Sequence, residues 1–193
     1  VNNALIFVPV ILGTEFGNSL DSPTVFVKKA DGTYGCDLGH VERYLDTAMQ
    51  AGCAPRMVCA VLFNDPFYGA SSIVRPRLLV RDEASGKTEA MDLPALDSAD
   101  ARKVMEPFAK GFVESLKKRG LEKVACWGLP WDAVDTNFFG MVRLAADLAP
   151  DAGWVRGCHS HSKGGMDRAK NDPFKVVISI FDAWGALEKQ KET

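Results

Sequence analysis

Short apolar runs and segments of helical periodicity take turns along this chain, and few architectures accept that alternation. Residues 4–12, ALIFVPVIL, are a continuous apolar run of the kind carried by strands covered on both faces. The runs RMVCAVLFNDP (56–66), KVACWGL (123–129), WVRGCHSHS (154–162) and KVVISIFDAWG (175–185) repeat the theme. Between them, Asp37 is expected to cap a helix in which Leu38, Val41, Tyr44, Leu45, Ala48 and Met49 recur at helical spacing and Gly52 ends the run. Residues 99–119 predict a second helix with Val104, Phe108, Phe112 and Leu116 on one stripe. Lys117, Lys118 and Arg119 stand near its C-terminus, where the helix dipole favours cations. Pro107 either kinks this helix or marks its first turn. A third helix is expected over 136–148, with Phe139, Val142, Ala146 and Leu148.

Two polar excursions interrupt the alternation. TVFVKKADGTYGCD carries Asp31-Gly32 between two strand-like pieces and predicts a hairpin. RPRLLVRD and TEAMDLP flank EASGK, so a second hairpin, around 72–97, is expected as an insertion in a βα loop. Short αβ returns and long βα loops predict an α/β fold of the (β/α)8 TIM-barrel type. A Rossmann sheet would want a glycine-rich phosphate turn, and GTEFGN is neither GxGxxG nor GxxxxGK[ST]. A full barrel has eight strands in about 250 residues. The 193 residues, opening at Val1 inside a strand, are therefore expected to be one incomplete barrel domain over 1–193, a piece of a longer protein in which flanking domains or a signal peptide have room.

Composition narrows the function classes. With 23 basic and 25 acidic residues and a net charge of −2, the chain lacks the basic footprint of nucleic-acid binding. No apolar run approaches the roughly 18 residues of a membrane span. Cys36, Cys53, Cys59, Cys126 and Cys158 are odd in number and without CxxC spacing, which argues against a zinc ribbon or disulfide scaffold and for buried thiols.

In such a barrel the chemistry gathers at the C-terminal ends of the strands. Each expected strand ends in polar groups: Thr14 and Glu15, Asn64 and Asp65, Trp131 and Asp132, His159 and His161, Asp182 and Trp184. Strands leaving a core turn polar in any protein, and Asp65-Pro66 is also ordinary turn chemistry. A glycosidase needs two carboxyl groups flanking the scissile bond. Asp65, Asp132 and Asp182 are the catalytic candidates, with Glu15, Asn64, Trp131, His159, His161 and Trp184 as substrate contacts. Phe67, Tyr68, Trp127, Trp131 and Trp184 are aromatic candidates for stacking on sugar faces, or else belong to the wall of the fold.

The HxH of His159 and His161 puts two imidazoles on one side of a strand. It leaves three readings open: a metal pair completed by an aspartate, hydrogen bonding to a substrate, or polar capping of the strand. The third histidine, His40, opens a helix and is expected at the end of the fold away from the strand C-termini. No cofactor and no metal are expected on the leading reading.

DGTYGCDLGHVERYLDTAMQAG, the strand ending FNDP, RPRLLVRDEASGKTEAMDLP, EPFAKGFVESLKKRGLEKVACWG and LAPDAGWVRGCHSHS, in that order, resemble the central part of large, uncharacterised glycoside-hydrolase-like TIM-barrel proteins. The resemblance implies a barrel, an extracytoplasmic setting, a carbohydrate ligand and flanking β-rich domains. The chain departs from it in having no glutamate directly after Asp65 or Asp132. The resemblance therefore implies a glycoside-hydrolase-like enzyme or, alternatively, a non-catalytic carbohydrate-binding or degenerate barrel. The metal-dependent hydrolase built on His159 and His161 stands beside them.

Overall fold

The structure, a computed structural model, describes residues 3–14, 16–63, 76–128, 138–158 and 176–179. Nine strands and three helices are formed among them: β1 (Asn3–Pro9), β2 (Val25–Lys28), β3 (Tyr34–Asp37), α1 (Gly39–Gln50), β4 (Ala54–Val61), β5 (Arg77–Asp82), β6 (Thr88–Asp92), α2 (Ala99–Lys117), β7 (Ala125–Gly128), α3 (Phe138–Leu148), β8 (Gly153–Cys158) and β9 (Val176–Ser179). The first sheet has the order β1-β4-β7-β8-β9 and every pairing in it is parallel. The second has the order β3-β2-β5-β6. It consists of two antiparallel hairpins joined by the parallel pair β2/β5.

The α/β alternation is present, but the expected incomplete (β/α)8 barrel of about five strands is not. Among the described residues the parallel strands form an open sheet with β1 and β9 at its two ends, and a separate four-stranded mixed sheet stands where a barrel would carry only loops and helices. The polar excursions also do more than decorate loops. Phe26 on β2 and Leu78 and Val80 on β5 are buried and give the second sheet an apolar face of its own. The domain is a two-sheet α/β unit.

Burial explains the strand patterns. Met57 to Val61 of β4 are all buried, as expected for a strand with neighbours on both sides and cover on both faces. On β1, over Leu5 to Pro9, only the alternate residues Ile6 and Val8 are buried, while Leu5 is 48% exposed. Its apolar run is the equal of that of β4, yet β1 ends the sheet and is covered fully on one face.

The main core lies where α2 packs under both sheets. Phe108 and Phe112 stack at 5.4 Å, Phe112 lies 5.7 Å from Trp127 of β7, and Phe108 lies 6.3 Å from Phe26 of β2. One helical stripe thus joins the two sheets. Pro107 falls inside α2, with its helical span intact to Lys117. Ser98 caps that helix, its hydroxyl accepting the Ala101 N–H at 3.1 Å.

Gly52 ends α1 in the left-handed region (φ +81°), with its N–H on Met49 O and the Cys53 N–H on Ala48 O, both at 3.0 Å. This pair of bonds is a Schellman motif, and the φ is why glycine stands there. The start of α1 is one residue later than the sequence suggests. Leu38 is the N-cap and offers no side-chain cap, while Asp37 closes β3 and accepts the Gly39 N–H at 3.0 Å.

Candidate functional site

Parallel strands that are neighbours in both sequence and space deliver all their C-termini to one edge. Here that edge is formed by Pro9, Val61, Gly128, Cys158 and Ser179. In parallel α/β folds the loops that follow the strands gather at this carboxyl edge. Pairing continues slightly past the strand ends, with Val10 N donating to Val61 O at 3.0 Å and Leu62 N to Gly128 O at 2.6 Å. The edge is therefore held together by backbone bonds as well as by packing.

Glu15, Asn64, Asp65, Trp131, Asp132, His159, His161, Asp182 and Trp184 all lie outside the described residues. What the structure places is the strand end that each follows in sequence. Asn64 comes directly after Phe63, His159 directly after Cys158, and Glu15 between Thr14 and Phe16. Phe67 and Tyr68 lie outside the described residues as well. Among the described residues no three His, Cys, Asp or Glu side chains gather as a metal-binding set.

After β1 the chain is shaped by Asn18. Its side-chain oxygen accepts the Thr14 N–H at 3.0 Å and also pairs with the Thr14 hydroxyl, while Nδ2 donates to Ile11 O at 2.7 Å. Gly13 N–H on Asn18 O and Gly17 N–H on Thr14 O, both at 3.1 Å, complete a compact turn. Thr14, a polar strand-end residue in the sequence, is buried and its hydroxyl is committed to Asn18. It holds the loop rather than facing a ligand. The loop is tied to the second sheet as well, through Leu12 N–H on Arg77 O at 2.7 Å.

Trp127 is not a stacking platform. It is 1% exposed, sits against Phe108 and Phe112, and donates its indole N–H to Ala149 O at 3.4 Å. The periodicity of β7 puts it on the core face with Ala125, so the aromatic signal there is one of packing.

His40 is also repositioned. Since α1 returns to the start of β4 through only Ala51, Gly52 and Cys53, its N-terminus points back toward the carboxyl edge of the sheet. His40 lines a cavity there with Asp21, Ser22, Pro23 and Val25. The Ser22 hydroxyl donates to Pro9 O, the last residue of β1, at 3.2 Å. His40 therefore stands at the strand C-termini and not at the far end. The expectation of the far end took no account of the short return from α1 to β4, which fixes the direction of the helix.

A second concavity lies between the β2–β3 turn and α2, lined in part by Asp31, Tyr34, Lys103 and Glu106. Its charges are largely mated. Lys103 bonds Asp100 at 3.0 Å and Lys110 bonds Glu106 at 2.6 Å. Asp31 is held below the usual carboxylate range by the Thr33 hydroxyl and amide.

No family model matches the chain, and no curated protein does. Among solved structures it is similar to a family 123 glycoside hydrolase from Clostridium perfringens, described in a study of glycolipid glycan hydrolysis. The two share 17% identity and a TM-score of 0.57, over 84% of this chain and 29% of the other. At that identity the likeness is one of fold. The chain spans less than a third of the length of the hydrolase it resembles. No helix among the described residues is long and apolar enough to cross a membrane.

Proposed function

We propose that the chain is part of a carbohydrate-active, glycoside-hydrolase-like protein that binds a glycan at the carboxyl edge of the five-stranded sheet. The observation that carries this reading is the all-parallel order of that sheet, since it sends every strand-end segment off the same edge. The fold likeness to a glycoside hydrolase supports it. Asp65, Asp132 and Asp182 supply the acid and the base or nucleophile, because glycosyl transfer to water needs one carboxyl group to protonate the leaving oxygen and another on the opposite side of the anomeric carbon. Glu15, Asn64, His159 and His161 bond substrate hydroxyls, and Trp131 and Trp184 stack on the C–H faces of sugar rings.

The test begins with a glycan array, followed by turnover assays on every sugar bound. Asp65→Asn, Asp132→Asn and Asp182→Asn are then compared, and loss of at least about 10²-fold in rate with binding retained marks the catalytic pair. Binding without turnover would move the protein to the non-catalytic class. Stoichiometric zinc abolished by His161→Ala would replace the two-carboxylate mechanism with a metal-dependent one. Failure to bind any glycan would overturn the proposal.

A further inference from the structure

The geometry points to a monosaccharide subsite in the cavity between His40 and Asp21, and this inference rests on the carbohydrate reading above. The cavity has a volume of about 340 Å³, enough for one pyranose ring, and opens beside the end of β1. Its walls offer the three things a sugar ring asks for: an acceptor, a donor and an apolar surface.

The acceptor is Asp21. One carboxylate oxygen takes the Ser22 N–H at 2.8 Å, which fixes the side chain, and a carboxylate has a second oxygen with lone pairs to offer. The donor is His40, and its tautomer follows from its neighbour. Arg43 Nη2 stands 2.9 Å from His40 Nδ1, and a guanidinium only donates, so Nδ1 is the acceptor. In the neutral ring the proton is then on Nε2, leaving an N–H to donate to a hydroxyl. An acceptor and a donor across one concavity suit two hydroxyls of one ring, one giving its proton and the other receiving one.

Pro23 and Val25 supply the apolar surface for the C–H face of the ring. Ser22 shapes the cavity without serving as a contact. Its hydroxyl is used twice, donating to Pro9 O and accepting the Thr24 N–H, each at 3.2 Å. The wall is therefore fixed to the sheet edge, so a sugar held there is registered against the strand C-termini.

The experiment is titration with methyl β-D-glucopyranoside and methyl β-D-galactopyranoside, followed by amide chemical-shift mapping on the intact chain. Shifts are expected at Ser22, Thr24, Val25 and His40. Asp21 and His40 are both exposed, so Asp21→Ala and His40→Ala are expected to keep the wild-type melt, and each to weaken binding about fivefold, the worth of one hydrogen bond. Glycoside binding that both variants leave unchanged, or shifts confined to other residues, overturns the subsite while leaving the carbohydrate reading intact. Mapped binding at His40 in a protein that hydrolyses no glycoside supports the subsite and removes the hydrolase. Absence of binding by either glycoside at 50-fold excess over a 1 mM dissociation constant (about −4.1 kcal/mol) overturns the subsite as well.

Discussion

A Cβ on Gly128 would lie 2.6 Å from the carbonyl oxygen of Val155, across the β7/β8 pair, and 3.0 Å from Cys59 Sγ. The first of these neighbours is backbone and cannot rotate away. Gly128→Ala is therefore expected to push β8 off β7, at a cost of about 1–3 kcal/mol, the range for overpacking a closed site. Urea denaturation checks it, and wild-type stability would show that the two strands separate without penalty. Gly128 is the last residue of β7, so the same substitution also disturbs the carboxyl edge.

Trp127 bridges the sheet and α2. Trp127→Ala is expected to cost about 3–5 kcal/mol, while Trp127→Phe should cost less by keeping the ring in place. If Trp127 served a ligand instead, the alanine variant would melt like the wild type and lose only glycan binding.

Arg119 ties the end of α2 to α1. Its Nε and Nη2 donate to the two carboxylate oxygens of Asp46 at 2.7 and 2.9 Å, and Nη1 donates to Ser115 O at 2.8 Å. A lysine cannot make that fork, so Arg119→Lys is expected to lower Tm by about 2–4 °C. Arg119 holds the Asp46 carboxyl below the usual range. The contribution is thus present above the ordinary aspartate pKa and is lost as pH falls through the lowered one. The difference in Tm between wild type and Arg119→Lys should shrink in acid, and a difference independent of pH would refute the pairing.

Burial pushes the Cys126 thiol up to about 11 and the Cys36 thiol up to about 12. The thiolate is the nucleophile, so alkylation of Cys126 by iodoacetamide is expected to be slow at pH 8 and to rise about tenfold per pH unit up to pH 10. A plateau near pH 8, read by mass spectrometry, would show that the thiol is not buried in this way.

The alternation of strands and helices was legible because apolar periodicity and local stops act over a few residues. Gly52 marks the end of α1 by its left-handed φ, the run at 56–66 covers all of β4 but its first two residues, and the run at 123–129 contains β7. What could not be read was assembly across the chain. The β2/β3 and β5/β6 hairpins look independent in sequence, and only the Phe26–Val80 to Lys28–Asp82 pairing makes them one sheet. Trp127 reads equally well as a sugar platform or a core residue until Phe108 and Phe112 are seen beside it. His40 was misplaced although the three-residue return from α1 to β4 fixes the direction of the helix. Asp21 and Ser22 carry no site signal in the sequence, yet they set one wall of the cavity.

The strands of the first sheet stand side by side in the order in which they occur along the chain. Among the described strands, none has to be wedged during synthesis between two that have already paired. Each new strand finds its partner waiting at a single growing edge, so assembly can keep pace with translation, and a pause in synthesis leaves a shorter sheet and not a wrongly threaded one.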